Sequence, residues 1–184
     1  MNITIISCSL HPQSRSYVLA KELSKKLCHL GADAPLVDLR EHPAPLCGTS
    51  GTSENPHVQF LQESIEQARA IILTVPIYNY DINSAAKNMI ELTGRRWSKK
   101  VVGFACAAGG HSSYMSVMSI ANSLMLDFRC LINPRFVYAT GDDFGNDRTP
   151  EMFVQSEKIN ERLDELAKST FTLTAALPST WKST

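Results

Sequence analysis

Two kinds of apolar pattern alternate along the chain. Short runs of apolar, often β-branched residues are typical of strands. They lie at 3–6, 36–39, 70–75 and 101–108, with an interrupted fifth run at 130–132 and 136–138. Apolar residues that recur every three or four positions are typical of amphipathic helices. This spacing predicts helices at 19–30, 56–68, 85–93, 113–126 and 150–171.

Five strands that alternate with helices favour a doubly wound α/β fold with right-handed crossovers. We expect a five-stranded parallel sheet in the order 2-1-3-4-5 with helices on both faces. It would form one domain over 1–172, followed by a tail at 173–184. Such a fold binds its ligand at the carboxyl ends of the strands, where the strand order reverses between strands 1 and 3. Three loops meet at that place: 7–16, 76–84 and 107–113.

Composition argues against several classes of function. The 184 residues carry 18 Lys and Arg and 18 Asp and Glu, a balance that disfavours nucleic acid or a polybasic membrane contact as the main partner. No stretch approaches the ~20 apolar residues of a membrane span, so we expect no membrane insertion. The five cysteines form no CxxC motif and the first strand leaves no room for a signal peptide, which together predict reduced thiols in the cytoplasm. The histidines lack metal-ligand spacing, so no metal site is expected.

The first loop, 7–16, joins a β-branched strand to a helix and predicts a phosphate site. Such a turn gathers backbone N–H groups and the positive end of the helix dipole at one point. Ser9, Ser14 and Ser16 add hydroxyl donors, and the loop has no lysine of the kind that nucleoside-triphosphate loops carry. The pattern favours a single phosphate monoester, although the same serines would also serve as turn and helix N-cap residues. Cys8 lies in this loop, and a redox role for its thiol stays open.

The other two loops predict the surroundings of a flat ligand. Pro76-Ile77-Tyr78-Asn79 begins apolar and aromatic and continues into polar residues, a mixture that suits the faces and heteroatoms of a heteroaromatic ring. Gly109 and Gly110 let the backbone approach a ligand closely. Each feature has a structural alternative: Tyr78 as a rim aromatic, Asn79 as a turn residue, and the glycine pair as a strand-to-helix turn.

In this order, the motifs resemble those of the NAD(P)H-dependent FMN reductases, a family of the flavodoxin-like superfold. The segment 8–16 is similar to the family's phosphate loop G-S-x-R-x-x-S-x-[NS], with Cys8 in place of its glycine and His11 in place of its arginine. The segments 76–79 and 84–91 are similar to P-x-Y-N followed by G-x-L-K-N-x-I-D, and Gly109-Gly110 to the glycine pair after strand 4. The resemblance extends from residue 1 to about residue 170.

The resemblance implies FMN as cofactor and NADPH or NADH as co-substrate. Hydride would pass from the nicotinamide to FMN and on to an acceptor such as free flavin, a quinone, an azo or nitro compound or a metal oxyanion. No side chain is required as a catalytic residue. The implied cofactor-binding residues form three groups, at the phosphate, along the ring and at its pyrimidine end: Ser9, His11, Ser14, Arg15 and Ser16; Pro76, Ile77, Tyr78 and Asn79; Gly109 and Gly110.

Two other functions are compatible with the sequence. A flavodoxin-type FMN electron carrier would bind the flavin without its own NAD(P)H turnover. Such carriers are usually strongly acidic, whereas this chain has zero formal net charge. A degenerate member of the fold would act as a scaffold or sensor without flavin.

The helix at 113–126 is apolar on more than one side. Its main stripe is Tyr114, Met118, Ala121 and Met125, and further apolar residues lie off that stripe. A helix in a surface layer that is apolar all round needs a partner, and related reductases associate through the helices after strands 3 and 4. We therefore expect a homodimer or homotetramer that uses helices 85–93 and 113–126.

Overall fold

A computed structural model describes residues 1–178 and 181, and a mostly parallel sheet forms its centre. The strands are β1 (Ile3–Ser7), β2 (Leu36–Asp38), β3 (Ala70–Tyr78), β4 (Asp81–Ile82), β5 (Val101–Ala107), β6 (Leu131–Ile132), β7 (Val137–Ala139), β8 (Phe144–Gly145) and β9 (Phe153–Val154). The α-helices are α1 (Arg15–His29), α2 (Pro56–Gln67), α3 (Ser84–Thr93), α4 (Met118–Phe128) and α5 (Glu157–Ala176).

The parallel strands lie in the order β2-β1-β3-β5, and β6 and β7 pair one after the other with the outer edge of β5. The predicted fold class is thereby confirmed, including the interruption of the last strand. The interruption begins at Asn133, whose side-chain amide donates to Ser169 Oγ and Thr170 Oγ1 on α5, at 2.7 and 2.9 Å. The following Pro134 has no backbone N–H with which to continue the ladder.

Each face of the sheet carries its own hydrophobic core. Helices α1 and α5 cover one face, whereas α2, α3 and α4 cover the other. The strands β1, β3 and β5 are buried along almost their whole length, as expected for parallel strands between two helical layers. Gly103 in β5 lets α5 approach the sheet, because a Cβ at this position would lie 2.9 Å from Leu166 Cδ1.

The last helix differs from its prediction at both ends. It begins at Glu157 rather than at residue 150, because Ser156 caps it and accepts from the Ile159 N–H. The preceding β9 instead pairs antiparallel with β8, a small sheet that the periodicity did not predict. The helix then continues to Ala176 rather than 171, with Thr174 buried. Within the predicted tail, residues 179, 180 and 182–184 lie outside the described residues.

Helix α4 buries one of its apolar faces and leaves another on the surface. It begins at Met118, after a short 3₁₀ turn at His111–Ser113. The side chains packed against the sheet are those of Val117, Ile120, Ala121 and Leu124. Of the predicted stripe, Ala121 is buried, whereas Tyr114, Met118 and Met125 are about two-fifths exposed. Across residues 1–178 and 181, no helix has both the length and the apolar character that crossing a membrane requires.

Candidate active site

A cavity of about 520 Å³ opens where β1, β3 and β5 end. Its volume lies within the range of about 300–1,000 Å³ that is typical of small-molecule sites. The three loops predicted to converge supply its wall: Ser9, Ser14, Arg15 and Ser16; Pro76, Ile77, Tyr78 and Asn79; Ala107, Ala108 and Gly109, together with Arg148. All of the candidate residues line the cavity except His11 and Gly110.

The serines of the first loop are buried and organised around the start of α1. Ser14 is the helix N-cap, and its hydroxyl accepts from the Tyr17 N–H at 3.2 Å. The same hydroxyl lies 2.9 Å from Ser16 Oγ, while Ser9 Oγ accepts from the His11 N–H at 3.2 Å. Capping and ligand binding are compatible here, because each hydroxyl still has a donor or lone pair to offer. Three hydroxyls at the positive end of a 15-residue helix form a site that suits an anion.

Arg15 lines the cavity, but its charge is matched. Its Nε and Nη2 donate to the two carboxylate oxygens of Asp147 at 2.8 and 2.5 Å. These bonds lower the pKa of Asp147 below its ordinary value and raise the pKa of Arg15. Gly141 makes room for the guanidinium, since a Cβ there would lie 2.7 Å from Arg15 Nη2.

Two candidate residues lie outside the cavity wall, and one wall residue, Arg148, lies outside the three predicted loops. His11 is exposed, and its Nδ1 accepts from the Gln13 N–H at 3.0 Å. The carbonyl of Gly110 accepts from the hydroxyl of Tyr138 at 2.6 Å. Arg148 enters the wall from the loop between β8 and β9. No sequence pattern pointed to it, because this stretch carries no periodic apolar signal.

The loop after β3 is a tight hairpin. Tyr78 pairs with Asp81 of β4, and between them Asn79 and Tyr80 have φ angles of +50° and +63°. Two successive left-handed residues are the signature of a type I′ turn. Asn79 is therefore a turn residue that also lines the cavity. The hydroxyl of Tyr80 donates to Ser112 Oγ at 3.1 Å, which ties this hairpin to the loop after β5.

The side chain of Asn83 links the loop after β3 to the first loop. Its side-chain amide donates to the Cys8 carbonyl at 2.7 Å instead of capping α3. In the described part of the chain, Asn83 Oδ1 and Ser7 Oγ are the buried side-chain atoms without a hydrogen-bond partner. Both belong to the place where the strand order reverses. Neither residue is among those that line the cavity.

A second cavity, of about 600 Å³, lies on the other side of the first loop and is lined by Leu10, Pro12 and residues 38–44. At its wall, the guanidinium of Arg40 pairs with Asp38, the last residue of β2. Arg40 Nη1 also donates to the Pro12 carbonyl at 2.9 Å, so β2 braces the first loop from this side.

The thiol of Cys8 lies in surroundings that disfavour its reactive form. It is fully buried, and burial together with the nearby Asp38 raises its pKa far above the ordinary value. Because the thiolate is the reactive form, we expect iodoacetamide at pH 8 to alkylate the exposed Cys28 and Cys47 and to spare Cys8. Peptide mass spectrometry measures this directly. Rapid labelling of Cys8 in the native protein would contradict this expectation and support a redox role for its thiol.

Comparisons with known proteins agree with this geometry. The model of a family described as NADPH-dependent FMN reductase matches residues 1–142. An NAD(P)H-dependent FAD/FMN reductase of Geobacillus thermodenitrificans is 27% identical over 146 residues, which cover 78% of this chain and 76% of that protein. Two solved structures share the fold at lower identity. RosB with a bound flavin phosphate intermediate matches with a TM-score of 0.80 at 15% identity, and the match covers 100% of this chain and 82% of the RosB chain. FerB, an NAD(P)H:acceptor oxidoreductase of Paracoccus denitrificans, matches with a TM-score of 0.75 at 19% identity, and the match covers 95% of this chain and 97% of the FerB chain.

Proposed function

Because this chain belongs to the NADPH-dependent FMN reductase family, we propose that it transfers reducing equivalents from NAD(P)H through FMN to a second small acceptor. It is an NAD(P)H-dependent flavin oxidoreductase with FMN as its cofactor. The acceptor is the proposed part, and free flavin, quinones, azo or nitro compounds and metal oxyanions are its candidate classes. One observation carries the assignment: the three loops that resemble the family's motifs line a single cavity.

The lining of the cavity suits the charge of the cofactor. Its wall has serine hydroxyls and a helix N-terminus, and among the described residues that line it there is no Asp or Glu. Ser9, Ser14 and Ser16 would hold the phosphate, while Pro76, Ile77 and Tyr78 would lie along the ring. When bound, FMN supplies the hydride acceptor and donor.

The protein's own part is positioning and electrostatics. Backbone N–H groups at Gly109 and Gly110 would stabilise negative charge at the pyrimidine end of the ring, as preorganised donors do for any developing anion. Tyr78 is 52% exposed and would leave one ring face open to a nicotinamide. The side chains needed for these roles are donors and apolar surfaces, so the proposal requires no general base.

The test is stopped-flow reduction of the FMN-loaded protein, first with NADPH and then with NADH. We expect bleaching of the flavin absorbance by at least one nucleotide, followed by reoxidation when an acceptor of one of the proposed classes is added. Binding of FMN without reduction by either nucleotide would contradict the enzyme and favour an electron carrier. Failure to bind FMN in a fluorescence titration would favour a scaffold or sensor.

We further propose that the protein is a cytoplasmic homo-oligomer. All five cysteines are free thiols, which supports a reducing compartment. Met115 and Leu126 are 60% and 69% exposed, beside the exposed Tyr114, Met118 and Met125. Exposed large apolar side chains on α4 and in the turn before it support association through α4, and the likeness to related reductases adds α3.

A further inference from the structure

We infer that Arg148 provides the positive charge that holds the FMN phosphate and makes the site select FMN over unphosphorylated riboflavin. The inference rests on the proposed function, because it concerns the same cavity. It adds a residue that lies far from the first loop in sequence and that no motif indicates.

The position of Arg148 places its guanidinium at the first loop. Its Nη1 donates to the Gln13 carbonyl at 2.9 Å and lies 3.5 Å from Nδ1 of His11. Gln13 immediately precedes the N-cap Ser14, so the guanidinium lies next to the start of α1. Arg148 lines the same cavity as Ser9, Ser14 and Ser16.

The turn that carries Arg148 is unusually constrained. Asn146 and Arg148 have φ angles of +50° and +61°, which side chains other than glycine seldom adopt. Strained residues of this kind concentrate at ligand sites. Between them lies Asp147, which forms an ion pair with Arg15. The same three-residue turn therefore places the Asp147 carboxylate against Arg15 and the Arg148 guanidinium beside the first loop.

The balance of charges singles out Arg148. Arg15 is bound through two hydrogen bonds to Asp147, and the two charges compensate each other. His11 does not line the cavity. Arg148 donates instead to neutral carbonyl oxygen. Its charge also acts on the neighbouring Asp147, whose carboxylate is bound by Arg15, and within the described residues Arg148 forms no ion pair of its own. The excess positive charge of the cavity wall is therefore that of Arg148.

Phosphate recognition and loop support predict different outcomes for different substitutions. Arg148→Lys keeps the charge, Arg148→Gln keeps a donor for the Gln13 carbonyl without the charge, and Arg148→Ala keeps neither. Arg135→Ala is the control, because Arg135 is exposed and pairs with Glu165 away from the cavity. Each variant is titrated into FMN and into riboflavin, with quenching of flavin fluorescence as the readout, at low and at high salt.

We expect Arg148→Ala and Arg148→Gln to raise the Kd for FMN about 10–100-fold while changing the Kd for riboflavin less than about twofold. Arg148→Lys should recover most of the FMN affinity, and the salt dependence of FMN binding should weaken in the uncharged variants. Equal losses for FMN and riboflavin, or recovery by Gln as complete as by Lys, would overturn the inference in favour of loop support. Wild-type protein that binds neither flavin would instead contradict the proposed function itself. Thermal unfolding of each variant verifies that the compared proteins are folded.

Discussion

Replacing Ser9 and Ser14 together with alanine is expected to raise the Kd for FMN by well over tenfold. Both hydroxyls are nearly fully buried in the cavity wall at the start of α1. A hydrogen bond to a charged group is worth about 1.5–3 kcal/mol. Losing two such bonds to a phosphate therefore gives an effect that a fluorescence or calorimetric titration measures easily.

The loss of a helix cap is the main competing explanation, since Ser14 also accepts from the Tyr17 N–H. Ser156→Ala is the matched control. Ser156 caps α5 in the same way, accepting from the Ile159 N–H, but it lies outside the cavity wall. Both single cap variants should lower the free energy of unfolding by about 1 kcal/mol, yet only Ser14→Ala should weaken FMN binding. Unchanged FMN affinity in the Ser9/Ser14 double variant would mean that these serines serve only the turn and the cap.

The parts of the site that sequence could predict are those encoded locally. The strand–loop–helix unit at residues 3–29 is predicted by a β-branched run, a serine-rich loop and leucines at helical spacing. Parallel strands bring their carboxyl ends to one edge by topology alone. For that reason the loops after β1, β3 and β5 could be placed around one ligand before any coordinate was known.

The parts that sequence could not predict depend on pairings between distant residues. Arg15 and Asp147 are 132 positions apart, and nothing in either neighbourhood indicates their ion pair. The small β8–β9 sheet that presents Arg148 consists of two-residue strands, too short to show any period. The phosphate loop has His11 at the position where the family has arginine, which left Arg15 as the arginine of the loop. In the folded protein, however, the guanidinium of Arg15 is paired with Asp147.

Helix α4 shows a different limit of pattern analysis. When two faces of a helix are apolar, periodicity cannot tell which of them meets the sheet. Val117, Ile120 and Leu124 occupy the buried face, and the stripe through Met118 and Met125 faces outward. The exposed apolar stripe strengthens the reason for expecting a partner, because it lies on the surface rather than against the sheet.

Replacing Met118 and Met125 together with glutamate is expected to convert the oligomer into monomers. The two side chains lie on one face of α4 and are 43% and 39% exposed. In the proposed interface they would be covered by a second copy of the chain, where an unpaired carboxylate is strongly unfavourable. In the monomer the same carboxylates point to water, so the fold itself should tolerate them. Light scattering coupled to size exclusion at micromolar protein measures the change in mass.

Ala175→Glu is the control for added negative charge, because Ala175 is exposed on α5, which covers the opposite face of the sheet. It should leave the mass unchanged. A wild-type protein that is already monomeric, or a double variant that keeps the wild-type mass, would contradict an interface on this face of α4. The exposed methionines would then need an explanation other than self-association, because large apolar side chains in water do not stabilise a monomer.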